Sequence, residues 1–482
     1  MNYALVRQIL GKILLATSLL MVPPIFVALY YGEGWTGVYP FLLPIGICIA
    51  ASFALSSKRS KNQDFFMREG FVIVGATWIL FSFIGCLPFV LSGSIPSIVD
   101  AFFEASSGFT TTGASVLSQP ELLSHSQLFW RSFTHLIGGM GVLVFVLAIM
   151  PRISSDSVFI MKAEVPGPTF GKLHARIRST ARILYGIYFV MTAILIVLLI
   201  AGRMPVFDSF IHAFGTAGTG GFGIKSNSVA YYQSPYLQYV LGVGMLVFGV
   251  NFNLYYALMC RQFRHVFQSE ELRWYLGFVV AAVASILINT RHLYTSFSTQ
   301  LREVFFTVSS IITTTGYTNC NYDKWPLFSI IVLLVLMFIG GMAGSTAGGL
   351  KVSRSAIYIK SSIITFRKNL SPNRKLPLRF ERKVIGNDLK MMLYEYLTIY
   401  CLVFISLLAI VSISAPDFPT AFSAVAATFN NIGPGTQAVG PTGSYAGLSV
   451  LSKIALSIGM IMGRLEILPI IVLFAPRTWR RT

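Results

Sequence analysis

Apolar residues run through this chain in long blocks separated by short polar or basic segments. Uncharged stretches cover Ile13 to Gly32, Gly34 to Ser57, Gly70 to Val99, Ser132 to Pro151, Ile183 to Gly202, Ser226 to Cys260, Trp274 to Thr290, Trp325 to Leu350 and Tyr396 to Pro416. A tenth, Ile454 to Pro476, is interrupted only by Arg464 and Glu466. At about 1.5 Å per residue, roughly 20 helical residues cross a hydrocarbon core of about 30 Å. The pattern therefore predicts an all-α membrane protein with ten transmembrane helices.

Between these blocks lie four shorter apolar stretches, each running into a turn rich in Thr or Gly. They read DAFFEASSGFTTTGAS (100–115), DSFIHAFGTAGTGGFG (208–223), EVFFTVSSIITTTGYT (303–318) and TAFSAVAATFNNIGPG (420–435). Counted from the first residue of each, Phe recurs at +2 (Phe102, Phe210, Phe305, Phe422) and Gly at +13 (Gly113, Gly221, Gly316, Gly433), without a gap. Self-similarity of this kind defines architecture before any residue is interpreted. The chain divides into an N-terminal helix pair (1–69) and pore repeats at 70–151, 152–260, 261–350 and 391–482, with a basic segment at 351–390 before the last. Each repeat is expected to be helix, half-helix, filter turn and helix around one pore.

Composition agrees with a membrane protein, with 54% hydrophobic and 11% charged residues over 482 positions. The net charge of +19 is distributed as topology rather than as a nucleic-acid surface. Lys and Arg concentrate in 51–71, 151–182, 261–273 and above all 351–390, which holds 11 of them, whereas the segments carrying the repeated turns hold few. By the positive-inside rule the turns face outward and both termini are cytoplasmic. The basic loops also lie where anionic membrane lipid or a cytosolic protein could meet them. The 5 cysteines and 6 histidines show no metal-ligand or catalytic spacing, so the chain is not expected to be an enzyme.

Thr and Gly in these turns suit an ion path. A potassium ion enters a filter when rings of backbone carbonyls replace its hydration shell. Glycine reaches the positive-φ conformations such a strand needs and leaves no side chain in the lumen. Irregular backbone at membrane depth is tolerated only where it is buried in protein or lines a water-filled cavity, so the turns must line the axis. Each half-helix points its carbonyl end inward, which favours a cation. Their first residues, Asp100, Asp208, Glu303 and Thr420, are read as N-caps or first-turn acids, compatible with a cation-attracting mouth.

These residues, together with REGF (68–71), IGGMG (137–141), EVPGP (164–168), FIGGMAGSTAGGLK (338–351), NNIGPG (430–435) and GRLE (463–466), carry a resemblance to the Trk/Ktr/HKT superfamily of potassium transporters. Within it the chain is most similar to the membrane subunits of bacterial Trk systems. The resemblance implies a homodimer in the bacterial inner membrane, with one pore per subunit, gated by a cytosolic TrkA-like nucleotide-binding regulatory subunit. It implies K+ as the transported ion, held by carbonyls that map onto Thr111, Thr112, Gly113; Thr219, Gly220, Gly221; Thr314, Thr315, Gly316; and Asn431, Ile432, Gly433. Glycine in the first turn is the variant associated with potassium; sodium-preferring relatives carry serine. A sodium-permeable or cation-coupled secondary transporter of the same fold is the alternative.

Residues 340–349 contain five glycines in ten positions. At about 1 kcal/mol lost per Gly relative to Ala, a continuous helix is unfavourable there. The segment with Gly340, Gly341, Gly344, Ser345, Thr346, Gly348 and Gly349 resembles the intramembrane gating loop of the family. Gly-Met pairs at 139–140, 244–245 and 459–460 are read as packing positions in unbroken helices. Arg464 is expected to face the lumen near the loop, because a charge at that depth is costly without a cavity or partner.

Overall fold

The computed structural model describes residues 1–56, 67–141, 177–371, 373 and 376–479. EVPGP (164–168), most of the basic segment 151–182, part of 51–71 and the inner end of the first pore repeat lie outside them. The described chain is mostly helical. It opens with α1 (Tyr3–Leu20), α2 (Val22–Tyr30) and α3 (Gly34–Ser56). The first unit comprises α4 (Met67–Leu91), α5 (Ile98–Phe109) and α6 (His125–Gly139). The second comprises α7 (Ile177–Ala201), α8 (Val206–Gly218), α9 (Pro235–Phe248) and α10 (Phe252–Met259). A short α11 (Phe263–Phe267) leads into the third, α12 (Glu270–Thr290), α13 (Phe297–Ile312) and α14 (Leu327–Ile339). Next come α15 (Val352–Leu370) and a small hairpin in which β1 (Arg379–Phe380) pairs antiparallel with β2 (Lys383–Val384). The fourth unit is α16 (Asn387–Ser412), α17 (Phe418–Phe429), α18 (Val450–Arg464) and α19 (Leu468–Phe474), closed by α20 (Pro476–Trp479).

Polarity is distributed as a bilayer demands. The four short helices α5, α8, α13 and α17 are buried along most of their length and carry Ser, Thr and Glu104 inside, while the long outer helices expose Val190, Val280, Ile288 and Leu402. In the most apolar part of α16, only 22% of residues are buried inside the protein. Such a surface is stable against lipid and would be an aggregation face in water.

Within the described residues, the apolar blocks are interrupted more often than the sequence pattern predicts. Among the described residues, six helical stretches are individually long and apolar enough to span a membrane, counting α1 and α2 together. A seventh forms only if α9 and α10, bent by 91° at their junction, are taken as one. The break expected only in the third unit recurs elsewhere. α6 stops at Gly139 and is followed by Gly141 at φ 85°, and α18 stops at Arg464 before Glu466 and Ile467 at φ 58° and 69°. Counting glycines misses these breaks because tertiary contacts, and not local propensity alone, decide them. At Gly138 an added Cβ would overlap the Phe109 carbonyl oxygen, and at Gly463 that of Phe429, so α6 and α18 lie hard against the carbonyl ends of α5 and α17.

The two chain ends meet. The Tyr3 hydroxyl donates to the Trp479 carbonyl at 2.6 Å, and Arg68 donates to the carbonyls of Arg477 and Thr478. Gly138→Ala is expected to lower thermal stability by about 1–3 kcal/mol through overpacking. Gly277→Ala, where nothing lies within 4 Å of the added carbon, is expected to leave it unchanged or raise it. Thermal unfolding of the purified variants in detergent checks the contrast.

Candidate ion pathway

All four turns adopt one backbone. The residue at +11 is left-handed in each: Thr111 (φ 56°), Thr219 (54°), Thr314 (56°) and Asn431 (58°). The glycine at +13 is positive again, with Gly113 at 78°, Gly221 at 73°, Gly316 at 83° and Gly433 at 102°. A non-glycine residue in this region is uncommon, and the same departure at four equivalent positions marks a built feature. The amides turn back onto their half-helices. The +12 N–H groups of Thr112, Gly220, Thr315 and Ile432 donate to Ser107, Gly215, Ser310 and Ala427 at 2.8, 2.8, 2.9 and 2.8 Å. The +11 N–H groups do likewise at 3.1–3.2 Å, to Gly108, Thr216, Ile311 and Thr428. The helix ends are thereby satisfied, and the turn carbonyls are left over. Of the twelve carbonyls in the candidate set, only that of Gly433 is engaged within the described residues, by the Tyr445 hydroxyl at 2.7 Å.

The turns close on one another in order. A Cβ on Gly113 would overlap the carbonyl oxygen of Gly220, one on Gly221 that of Thr315, and one on Gly316 that of Ile432. One on Gly433 would come within 2.7 Å of the Thr112 oxygen, which completes the circuit. The +13 glycine therefore has two causes, a positive φ and a neighbour's carbonyl where a side chain would stand. The first and third turns share a further brace, Thr110 with Thr112 and Thr313 with Thr315, each hydroxyl pair at 2.8 Å. In the fourth turn the Asn431 amide crosses the seam to the Thr112 hydroxyl and the Met460 carbonyl, both at 2.9 Å.

Asp100 and Asp208 are first-turn acids of α5 and α8, as expected, while Glu303 lies further into α13 and none of the three is the N-cap. Ser97 caps α5 and Asp417 caps α17, while α8 begins after Pro205 and α13 after Ser296, neither with a side-chain cap. Asp100 pairs with Lys453 at 2.7 Å, Asp208 accepts from the Tyr232 hydroxyl at 2.5 Å and Glu303 from the Tyr294 hydroxyl at 2.7 Å. A buried ion pair braces the outer end of the first turn. Glu104 accepts from Arg131 Nε at 2.6 Å and from the Val116 amide at 3.0 Å, and Arg131 also donates to the Gly223 carbonyl at 3.0 Å. In the outer loop of the third unit, burial pushes the Asp323 carboxyl up to about 6, opposed by the Gln437 amide it accepts at 3.2 Å.

Beneath the turns the segment after α14 leaves the helix, with Gly340, Gly344 and Gly349 at φ 72°, 76° and 75°. It touches the ring directly, because the Gly348 amide donates to Thr314 Oγ1 at 2.6 Å, and a Cβ on Gly348 would meet the Asn430 carbonyl. Its other polar groups are met by the break between α9 and α10. The Met342 amide donates to the Gly249 carbonyl at 3.1 Å, the Phe252 amide to the Gly344 carbonyl at 3.1 Å and Thr346 Oγ1 to the Phe248 carbonyl at 3.2 Å. Glu271, in the first turn of α12, accepts the amides of Ala343 at 2.8 Å and Ser353 at 3.2 Å.

Arg464 reaches this loop. Its guanidinium donates to the carbonyls of Thr346, Gly138 and Gly139 at 2.7, 2.6 and 2.5 Å, tying the loop to the C-terminal end of α6. Glu466 pairs instead with Arg354 at 2.6 Å. Lys351 is also buried here and donates to the Ala347 carbonyl. Sequence reading missed Glu271, Lys351 and Glu104 because their partners lie far along the chain or appear only when a helix breaks. Glu104→Ala, which strands the buried Arg131, is expected to lower stability by about 3–5 kcal/mol, measured by thermal unfolding in detergent.

Residues 41–481 match the TrkH family model, described as a cation transport protein. The Trk system potassium uptake protein TrkH of Salmonella typhimurium is 34% identical over 486 residues, covering 100% of both chains. The Trk system potassium uptake protein TrkG of Escherichia coli K12 is 32% identical over 480 residues, covering 98% of each. Among solved structures, the potassium transporter TrkH from Vibrio parahaemolyticus superposes with a TM-score of 0.88 at 30% identity, covering 100% of both chains. With a ring of carbonyl-bearing turns, a glycine-rich loop beneath it and full-length similarity, the chain belongs to the TrkH family of cation transport proteins.

Proposed function

We propose that this chain is the membrane subunit of a Trk-type system that takes up K+ through a gated, channel-like pore. One observation carries the reading: four glycines in sequence order, each packed against the next turn's +12 carbonyl, closing a ring of unengaged oxygens. Carbonyls held this way replace a cation's water without a side chain in the lumen. Four half-helices aim their carbonyl ends at the same place and add a favourable field for a positive ion. The candidate set Thr111, Thr112, Gly113, Thr219, Gly220, Gly221, Thr314, Thr315, Gly316, Asn431, Ile432 and Gly433 forms the filter.

Gly340, Gly341, Gly344, Ser345, Thr346, Gly348 and Gly349 form the gate, and Arg464 holds it closed while raising the barrier to cations. The hydrogen bond from Gly348 to Thr314 and the grip of Arg464 on Thr346 support this role. Ten crossings with both termini cytoplasmic agree with the contact between Tyr3 and Trp479, which needs both ends on one face. The assembly is a homodimer in the bacterial inner membrane, regulated by a cytosolic TrkA-like nucleotide-binding subunit docked on the basic segment 351–390. That segment has a ready route to the gate. Glu381 accepts from the Ser269 hydroxyl and the Glu271 amide, both at 2.9 Å, and Glu271 in turn holds the loop.

Reconstituted flux with K+ against Na+ tests the proposal, and a parent protein that moves both equally would overturn it. Gly113→Ser should admit more Na+, since its side chain displaces the Gly220 carbonyl; an unchanged ratio would remove this turn from the filter. Deleting Ser345 to Ala347 should raise flux in the absence of any partner, and a folded variant that conducts no better than the parent would show that the loop only packs.

A further inference from the structure

The second turn lacks the brace that the first and third share. Gly218 and Gly220 stand where those turns carry Thr110 and Thr112 or Thr313 and Thr315. Neither hydroxyl is present to hold its carbonyls in place.

The space is taken by His135 of α6, from the neighbouring unit. Its imidazole is fully buried behind the second turn. A Cβ on Gly220 would overlap the ring, lying 2.6 Å from Cδ2, and one on Gly218 would overlap the His135 carbonyl. Gly220 is absent from the positive-φ glycines, so its backbone could accept a side chain and the imidazole is what forbids it. Nδ1 lies 2.8 Å from the Gly108 carbonyl, which can only accept, so Nδ1 carries the proton. Nε2 then accepts the Phe222 amide at 3.3 Å, and the ring lies against Phe222 with centroids 4.3 Å apart. One imidazole thus joins the end of the first half-helix to the residue just beyond Gly221.

We propose that His135 is a positioning residue for ion selectivity, standing in for the missing threonine pair and setting where the Gly220 and Gly221 carbonyls lie. It touches no ion and acts through the second turn. The inference rests on the reading of the four turns as a K+ filter, and it assigns one side chain behind that filter to the choice between K+ and Na+.

The test is the K+ to Na+ permeability ratio in proteoliposomes for the parent and for His135→Ala, His135→Gln, Gly220→Ala and the double variant His135→Ala with Gly220→Ala. His135→Ala should lower the ratio about tenfold, the size expected when a buried amide loses its partner. His135→Gln, which keeps a donor and an acceptor, should lower it less. Gly220→Ala should also lower it, and the double variant should lie nearer the parent than the product of the two single effects, because removing the ring makes room for the methyl group. A selective parent whose His135→Ala form is folded and equally selective would overturn the inference, as would a double variant equal to that product. If His135→Ala does not fold, His135→Gln decides: a folded glutamine variant as selective as the parent would overturn the inference. A parent with no K+ preference would overturn the filter reading itself, which separates the two failures.

Discussion

A backbone N–H or C=O in hydrocarbon without a partner costs several kcal/mol, and this constraint shapes the centre of the molecule. A continuous helix satisfies it by construction. The four central turns cannot do so in the same way, because nearly all of their carbonyls meet no donor among the described residues. The four turns resolve the conflict by satisfying donors and acceptors separately. Their +11 and +12 amides return to the half-helix that precedes them, while the carbonyls face a ring closed by their neighbours. The left-handed residue at +11 and the positive φ at +13 are the conformational cost of that separation, of order 1–3 kcal/mol for a non-glycine residue. Burial of the half-helices offsets it.

The same constraint accounts for the segment beneath the ring. A glycine-rich stretch at membrane depth carries amides and carbonyls that no helix satisfies, so each must find a partner from another element. Gly249, Glu271, Thr314 and Arg464 supply them from four different parts of the chain. Any displacement of this segment exchanges those bonds for water. It can therefore move only when water or other partners replace the groups it leaves.

Much of this centre is legible in the amino-acid sequence. The +2 Phe and +13 Gly spacing marked the four turns, glycine density marked residues 340–349, and depth in an apolar block marked Arg464. These features are legible because they are local or periodic. The left-handed +11 residue is not, since three of the four are Thr, a β-branched residue that rarely adopts that conformation. Nor are Glu104 and Glu271, whose roles depend on Arg131 and on the Ala343 and Ser353 amides in other segments. The half-helix starts are legible in part. Asp100 and Asp208 do lie in the first turns of α5 and α8, whereas α13 begins at Phe297, so that Glu303 lies in its second turn and bonds to Tyr294. The breaks after Phe248 and Arg464 and the end of α6 at Gly139 are hidden because an apolar block shows length and not continuity.

The ring is built by one chain, and this permits an asymmetry that an assembly of identical subunits does not allow. In a homotetramer, a sequence change in one subunit appears four times about the axis. An obstruction long enough to reach that axis from one side would then meet three copies of itself. Here a single quarter carries the glycine-rich segment, a different quarter supplies Arg464, and a third contributes the broken helix whose freed backbone groups accept the segment. Covalent fusion thus lets four similar turns close one ring while three of the quarters make different contacts beneath it.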